Sequence, residues 1–245
     1  MHGIVAKTLE QARLARFFAA LAVKEHVAPR LHVRPLVAEV FITENCNLRC
    51  VSCACWRETT RNELTTEEWK ETLRQLRELG VLKVNVTGGE PLVRHDCIEL
   101  LAYATDIGIP NLHLNTNGLL LDQRRVAAVL DAGVRSFNIS VDGSDADAHD
   151  QIRGRRGAFA ETVAHLRALL AERERLALKV RMNFTVMRSN VDQLGGIARL
   201  AQDLGVRLYL NLATDRTFLF RAPGVDELAE VDDGSVREAL IDLED

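Results

Sequence analysis

Six short runs of the chain alternate apolar and polar residues with a period of two, at 37–43, 81–87, 111–116, 136–142, 178–186 and 206–212. Segments with the three-to-four-residue spacing of helices lie between them, at 66–79, 97–107, 122–132, 158–176 and 191–204. Thr65-Thr66-Glu67-Glu68 reads as a capping box opening the first of these, and Gly80, Gly108, Gly133 and Gly205 stand where helices stop. Within each strand-like run one parity is apolar, as in Val84/Val86, Phe137/Ile139 and Met182/Phe184. The other is polar: Glu39/Thr43, Asn85/Thr87, His113/Asn115/Asn117, Asn138/Ser140/Asp142, Arg181/Asn183/Thr185 and Tyr209/Asn211. Parallel strands buried on both faces read as continuous apolar runs, and this pattern does not. Dry and unpaired, such a polar face would cost on the order of 1–3 kcal/mol per group. The prediction is an α/β fold, a six-stranded parallel partial (β/α)6 TIM-like barrel with helices outside and a wet, polar lumen.

A further helix is expected over residues 8–27, with Leu14, Phe17, Phe18 and Leu21 on one stripe. It is expected to pack against the barrel or its end, with docking on a partner or a membrane surface as the alternative. Pro29 and Pro35 bracket a linker, which gives an organisation of 1–35 (helix and linker), 36–215 (core barrel) and 216–245. The last segment is acidic, with Asp226, Glu227, Glu230, Asp232 and Asp233 near a short helix ending at Asp245. A chain of 245 residues with 47% hydrophobic content can bury one good core, and its formal charge of -4 offers no basic field for nucleic acid. No apolar run reaches membrane-spanning length and no signal-peptide pattern opens the chain, so a cytoplasmic location is expected.

The chemistry gathers in one loop. Cys46, Cys50 and Cys53 fall at CxxxCxxC spacing directly after the first strand, and four of the five cysteines lie between 46 and 55. Such clustering argues for a metal in a reducing compartment over disulfides. A closed zinc site wants four protein ligands, whereas an iron–sulfur cluster held by three cysteines leaves one iron open to an outside ligand. A non-catalytic zinc module using Cys46, Cys50, Cys53 and Cys55 is the alternative; it leaves the polar lumen unexplained.

At this spacing the chain resembles the radical S-adenosylmethionine enzymes. The resemblance recurs in Thr87-Gly88-Gly89-Glu90-Pro91, Asn115-Thr116-Asn117-Gly118 and Ser140-Val141-Asp142-Gly143, and covers residues 37–213. It implies one 4Fe–4S cluster on Cys46, Cys50 and Cys53, with S-adenosylmethionine on the open iron. An electron, expected from a flavodoxin- or ferredoxin-like donor, then yields a 5′-deoxyadenosyl radical that takes hydrogen from a substrate not identified by the sequence. By the same resemblance Gly88, Gly89 and Glu90 border the methionine group, and Ser140 and Asp142 lie near ribose and methionine. Asn117 belongs to the same rim, Arg153 reaches toward the methionine carboxylate, and Asn183 contacts adenosine. Ser52 holds the place before the third cysteine where the family often has an aromatic residue near adenine; Trp56 is a candidate substitute ring. Cys55 fits no common cluster spacing. A glycine-rich adenine motif is missing from the sixth strand, and no cysteine follows Cys97. The chain is therefore expected either to work with one cluster or to be the core of a longer polypeptide.

Overall fold

The computed structural model describes residues 2–27, 33–53, 55–57 and 62–213, with side chains from residue 11 onward. Its elements are α1 (His2–His26), β1 (Val37–Phe41), α2 (Thr66–Glu78), β2 (Lys83–Thr87), α3 (Cys97–Asp106), β3 (Asn111–Thr116) and α4 (Gln123–Asp131). They continue as β4 (Ser136–Ser140), α5 (Ala146–Arg153), α6 (Ala158–Ala171), α7 (Arg173–Leu176), β5 (Lys179–Val186), α8 (Leu194–Asp203) and β6 (Arg207–Leu212). The six strands form one parallel sheet in sequence order, β1 to β6, the partial barrel expected from the two-faced strand pattern.

Strand burial follows the predicted parity. Val84, Leu114, Phe137, Ile139, Met182 and Phe184 are wholly buried against the outer helices. Each fully buried side chain of this kind contributes about 1.5–3 kcal/mol. Their neighbours Asn85, Asn138, Ser140, Arg181 and Asn183 are only half-buried and share the other face. The predicted capping box is present: Thr65 Oγ1 accepts from Glu68 N, and Glu68 accepts from Thr65 N in return.

Several elements differ from expectation. The helix predicted over 158–176 breaks at Glu172 into α6 and α7, and α7 ends at Ala177 with φ 52°. The stretch at 191–204 opens with a 3-10 turn, Val191–Gln193, before α8. Helix α5 has no counterpart in the periodicity analysis. It is short and polar, and its signal lies in its ends: Asp145 Oδ1 accepts from Ala148 N at 2.9 Å, and Gly154 closes it with φ 64°. In α1, Leu14 faces a cavity under the barrel, while Phe18 stays 62% exposed, so the expected packing is partial among the described residues. On β6, Leu210 and Leu212 are likewise exposed, with no cover among the described residues. Segment 216–245, with its predicted terminal helix, and Pro29 lie outside the described residues.

Candidate active site at the carboxyl ends of the strands

Parallel strands carry their functional loops at their carboxyl ends, and every motif quoted above sits there. The cysteine loop follows β1, Gly88–Pro91 follows β2, Asn117-Gly118 follows β3 and Asp142-Gly143 follows β4. Leu48, Leu119 and Ala158 form a small apolar cluster with buried Cys50, and half-buried Cys46 and Cys53 pack against it. The three thiols thus share one apolar floor. Burial pushes the Cys46 thiol up to about 11, with Glu90, Cys50 and Cys53 adding to the rise. Burial also raises Cys50, while the nearby Arg153 guanidinium pulls it back.

The loop is fastened on three sides. Toward β2, Gly89 N donates to Thr43 O at 2.8 Å and Glu90 N to Asn45 O at 2.9 Å. A Cβ on Gly89 would stand 2.3 Å from Asn45 O and 2.5 Å from Glu44 O. Gly88 is as close, its Cβ falling 2.3 Å from Thr43 O. The glycine pair therefore admits the backbone that leads into Cys46. Toward α5, Val51 N donates to Ile152 O at 2.9 Å and Arg49 N to Arg153 O at 3.3 Å. Toward β3, Asn117 Nδ2 donates to Asn47 Oδ1 at 2.7 Å.

Glu90 is 1% exposed, and its carboxylate is already engaged. It accepts from Thr116 Oγ1 at 2.8 Å, Asn117 N at 2.8 Å and Leu92 N at 3.1 Å. Burial pushes its carboxyl above the ordinary range while these donors pull it down. Asn117 is equally committed, its Oδ1 accepting from Leu119 N. Asp142, 3% exposed, pairs through Oδ2 with Arg153 Nη2 at 2.8 Å and accepts from Thr185 N through Oδ1 at 2.9 Å. Arg153 then reaches the cysteine loop, with Nη1 3.9 Å from Cys50 Sγ and a buried Nε that has no partner.

The remaining candidates are looser. Ser140 and Asn183 are register partners across β4 and β5, and Asn183 Oδ1 accepts from Asn211 Nδ2 at 2.6 Å. Ser52 is half-buried in the cysteine loop. Trp56 folds back over that loop, donating Nε1–H to Cys50 O at 3.2 Å with Arg49 and Arg57 against its ring. Cys55 is buried and hydrogen-bonds Cys53, and that contact, with burial, raises its thiol. No three His, Cys, Asp or Glu side chains among the described residues are closed around a point that could hold one metal ion.

A second network has no counterpart in the sequence motifs. Glu63 Oε1 accepts from Thr43 Oγ1 at 2.7 Å, Glu44 N at 2.9 Å and Asn45 Nδ2 at 3.2 Å, all just before Cys46. Arg94 Nη1 meets Glu63 at 3.4 Å and Ile42 O at 3.0 Å, and Arg94 Nε pairs with buried Asp96 at 2.6 Å. Only the position of Arg94 and Asp96 shortly after the Gly88–Pro91 stretch could have hinted at them.

Residues 40–214 match the radical SAM superfamily. An AdoMet-dependent heme synthase of Methanosarcina barkeri is 35% identical over 170 residues, 69% of this chain and 47% of the relative. A PqqA peptide cyclase of Bradyrhizobium diazoefficiens is 37% identical over 172 residues, 69% of this chain and 44% of the relative. The chain thus spans about half the length of the curated relatives it matches. Among solved structures, Streptococcus suis SuiB bound to S-adenosylmethionine has a TM-score of 0.70 at 20% identity, covering 98% of this chain and 52% of SuiB. That likeness shows the shared fold across the partial barrel, and the match over residues 40–214 establishes that the chain belongs to the radical SAM superfamily.

Proposed function

We propose that this chain is the catalytic core of a radical SAM enzyme, with Cys46, Cys50 and Cys53 holding a single 4Fe–4S cluster and S-adenosylmethionine bound beside it. When bound, cluster and cofactor would supply a one-electron cleavage of the sulfonium to a 5′-deoxyadenosyl radical, which removes hydrogen from a substrate. The observation that carries this reading is the arrangement at Cys50: a buried arginine, anchored by Asp142, turns toward the cysteine loop with one N–H unsatisfied. A buried donor without an acceptor costs about 1–3 kcal/mol and is offset by an anionic group placed there. A thiolate-ligated cluster and a methionine carboxylate are both of that kind.

The chain's own residues then have definite tasks. Gly88 and Gly89 let the loop after β2 lie against the residues leading into Cys46. Glu90, through Asn117 and Asn47, and Glu63, through Thr43 to Asn45, hold the cysteine loop at the rim. Gly88, Gly89, Ser140, Asp142, Arg153 and Asn183 border the cofactor, with Ser52 and Trp56 on the adenine side. The lumen under this rim, with His113 and Tyr209, takes the substrate. The relatives divide between a peptide cyclase and a heme synthase, so the likeness supports the shared radical chemistry and leaves the substrate open. Residues 36–215 form the catalytic unit, and the electron comes from a flavodoxin- or ferredoxin-like protein.

Anaerobic preparation should give a brown protein with about four irons per chain. Replacing Cys46, Cys50 or Cys53 by Ala should abolish the colour, and Cys55→Ala should leave it. A colourless protein carrying one zinc on all four thiols would contradict the proposal.

A further inference from the structure

The lower mouth of the barrel, at the amino ends of the strands, holds a cavity of about 410 Å3. It lies about one strand length from the cysteine loop, roughly 17 Å for five residues at 3.3 Å each. Four of its lining residues are cationic: Lys83 at the start of β2, Arg135 just before β4, and Lys179 and Arg181 on β5. Among the described residues no Asp or Glu lines it, although the chain as a whole carries 35 acidic residues against 31 basic. The rest of the wall is largely apolar and includes Leu14 of α1, Leu36, Leu82 and Pro110.

The cations are close enough to oppose one another. The Lys83 ammonium is pushed below its ordinary value, by burial first and then by Arg181 and Lys179, with Glu39 the one acid acting against them. His113, one layer higher, is held down to about 4 by burial and then by Lys83 and Arg181. At the upper rim half-buried Arg94 is paired with Asp96 and buried Arg153 with Asp142. No such acid among the described residues meets the half-buried Lys83 or the exposed Lys179 here. Among the described residues the Lys83 and Lys179 side chains make no ion pair or hydrogen bond. Arg181 stacks on Tyr209 at 4.8 Å, and Arg135 Nη1 donates to the carbonyls of Leu130 and Val134. Mutually repelling, unpaired ammonium groups around a roomy cavity leave a place for negative charge, and the apolar wall leaves a place for hydrocarbon.

We propose that this lower cavity binds an anion, a carboxylate or a phosphate carried on an apolar body, with Lys83, Lys179 and Arg181 around the headgroup and Leu14 over the apolar part. The site is separate from the thiol loop and does not depend on the cluster.

The test is calorimetric titration of the anaerobically prepared protein with octanoate and octyl phosphate, using octanamide as the uncharged control. Both anions should bind saturably at one site per chain, octanamide should not, and whichever anion binds more tightly identifies the headgroup. Lys83→Gln and Lys179→Gln should each weaken binding at least about tenfold, the effect of losing one charge-assisted contact. Lys70→Gln, on an outer helix and paired with Glu67 and Glu99, should leave it unchanged. The same affinities are expected in Cys46→Ala, so failure of the cluster assignment and failure of this site are told apart. Equal binding of octanoate and octanamide would overturn the proposal, as would parent-like affinity in folded Lys83→Gln and Lys179→Gln. So would an absence of saturable binding by either anion.

Discussion

The two mouths of this barrel treat charge in opposite ways. At the upper rim the buried charges engage neighbours: Arg153 with Asp142, Arg94 with Asp96 and Glu63, and Glu90 with three donors. At the lower mouth the cations surround a cavity whose lining, among the described residues, contains no acid. Burying a charge costs several kcal/mol unless it is paired, so the upper mouth gains order from its charges while the lower one keeps them free for a ligand. The difference also separates two meanings of a polar lumen. Near the cysteine loop polar residues mostly hold one another, whereas farther down Asn85 and Asn138 each keep a buried Oδ1 without a partner among the described residues and Lys179 is exposed.

The contrast is most exposed to test at Asp142. Asp142→Ala strands Arg153 in the interior and leaves Thr185 N without its acceptor, and the loss should be about 3–5 kcal/mol in a denaturant titration. A variant as stable as the parent would show that the upper charges are no more interlocked than the lower ones.

Gly89→Val should come next. Its new Cβ meets the Glu44 and Asn45 carbonyl oxygens, and the backbone must move at a cost on the order of 3 kcal/mol. Because those residues lead into Cys46, iron content per chain should fall with stability. Parent-like iron and stability together would show that the loop yields at this point.

A pH measurement sharpens the same comparison. His149 Nδ1 accepts from Asp142 N at 3.2 Å, and burial, then Arg153, hold the imidazole down to about 3. The unfolded chain, whose histidine titrates near 6.5, therefore binds more protons between about pH 3 and 6.5. Stability from this group is fully present above that window and is lost as pH falls through it, at up to about 1.4 kcal/mol per pH unit. His149→Gln should flatten the slope relative to the parent. An unchanged slope would remove His149 from the upper network.

The smallest effect belongs to the lower mouth. Lys179→Gln removes an exposed, unpaired cation, and stability should stay within about 0.5 kcal/mol of the parent. A large loss would mean that Lys179 has a structural partner after all.

What the sequence disclosed, and what it withheld, follows the range of the interactions involved. The sheet was legible because alternation is local: Val84 and Asn85 announce opposite faces within two residues, and the core obeys them. The thiols were legible because CxxxCxxC places three of them in one loop. Partner choice was not, since the groups that recognise a cofactor also recognise the protein. Glu90 reads as an acceptor for an ammonium group and is found accepting from Thr116, Asn117 and Leu92. Gly89 reads as a close approach to a ligand, and the space a Cβ would need there is taken by the Glu44 and Asn45 backbone. The Glu63–Arg94–Asp96 network ties together residues up to 52 positions apart and belongs to no repeating pattern. Helix α5 was missed because its apolar stripe is too short to show a period, although Asp145 and Gly154 mark both its ends.

All of this rests on the upper mouth being a cofactor site as well as a well-paired piece of structure. The most direct measurement is the EPR spectrum of the reduced, iron-loaded protein with and without S-adenosylmethionine, followed by assay of the same sample for 5′-deoxyadenosine. A ligand joining an open iron should change the spectrum, and 5′-deoxyadenosine should accumulate. An unchanged spectrum at saturating S-adenosylmethionine, with no 5′-deoxyadenosine formed, would contradict the assignment even with the cluster in place.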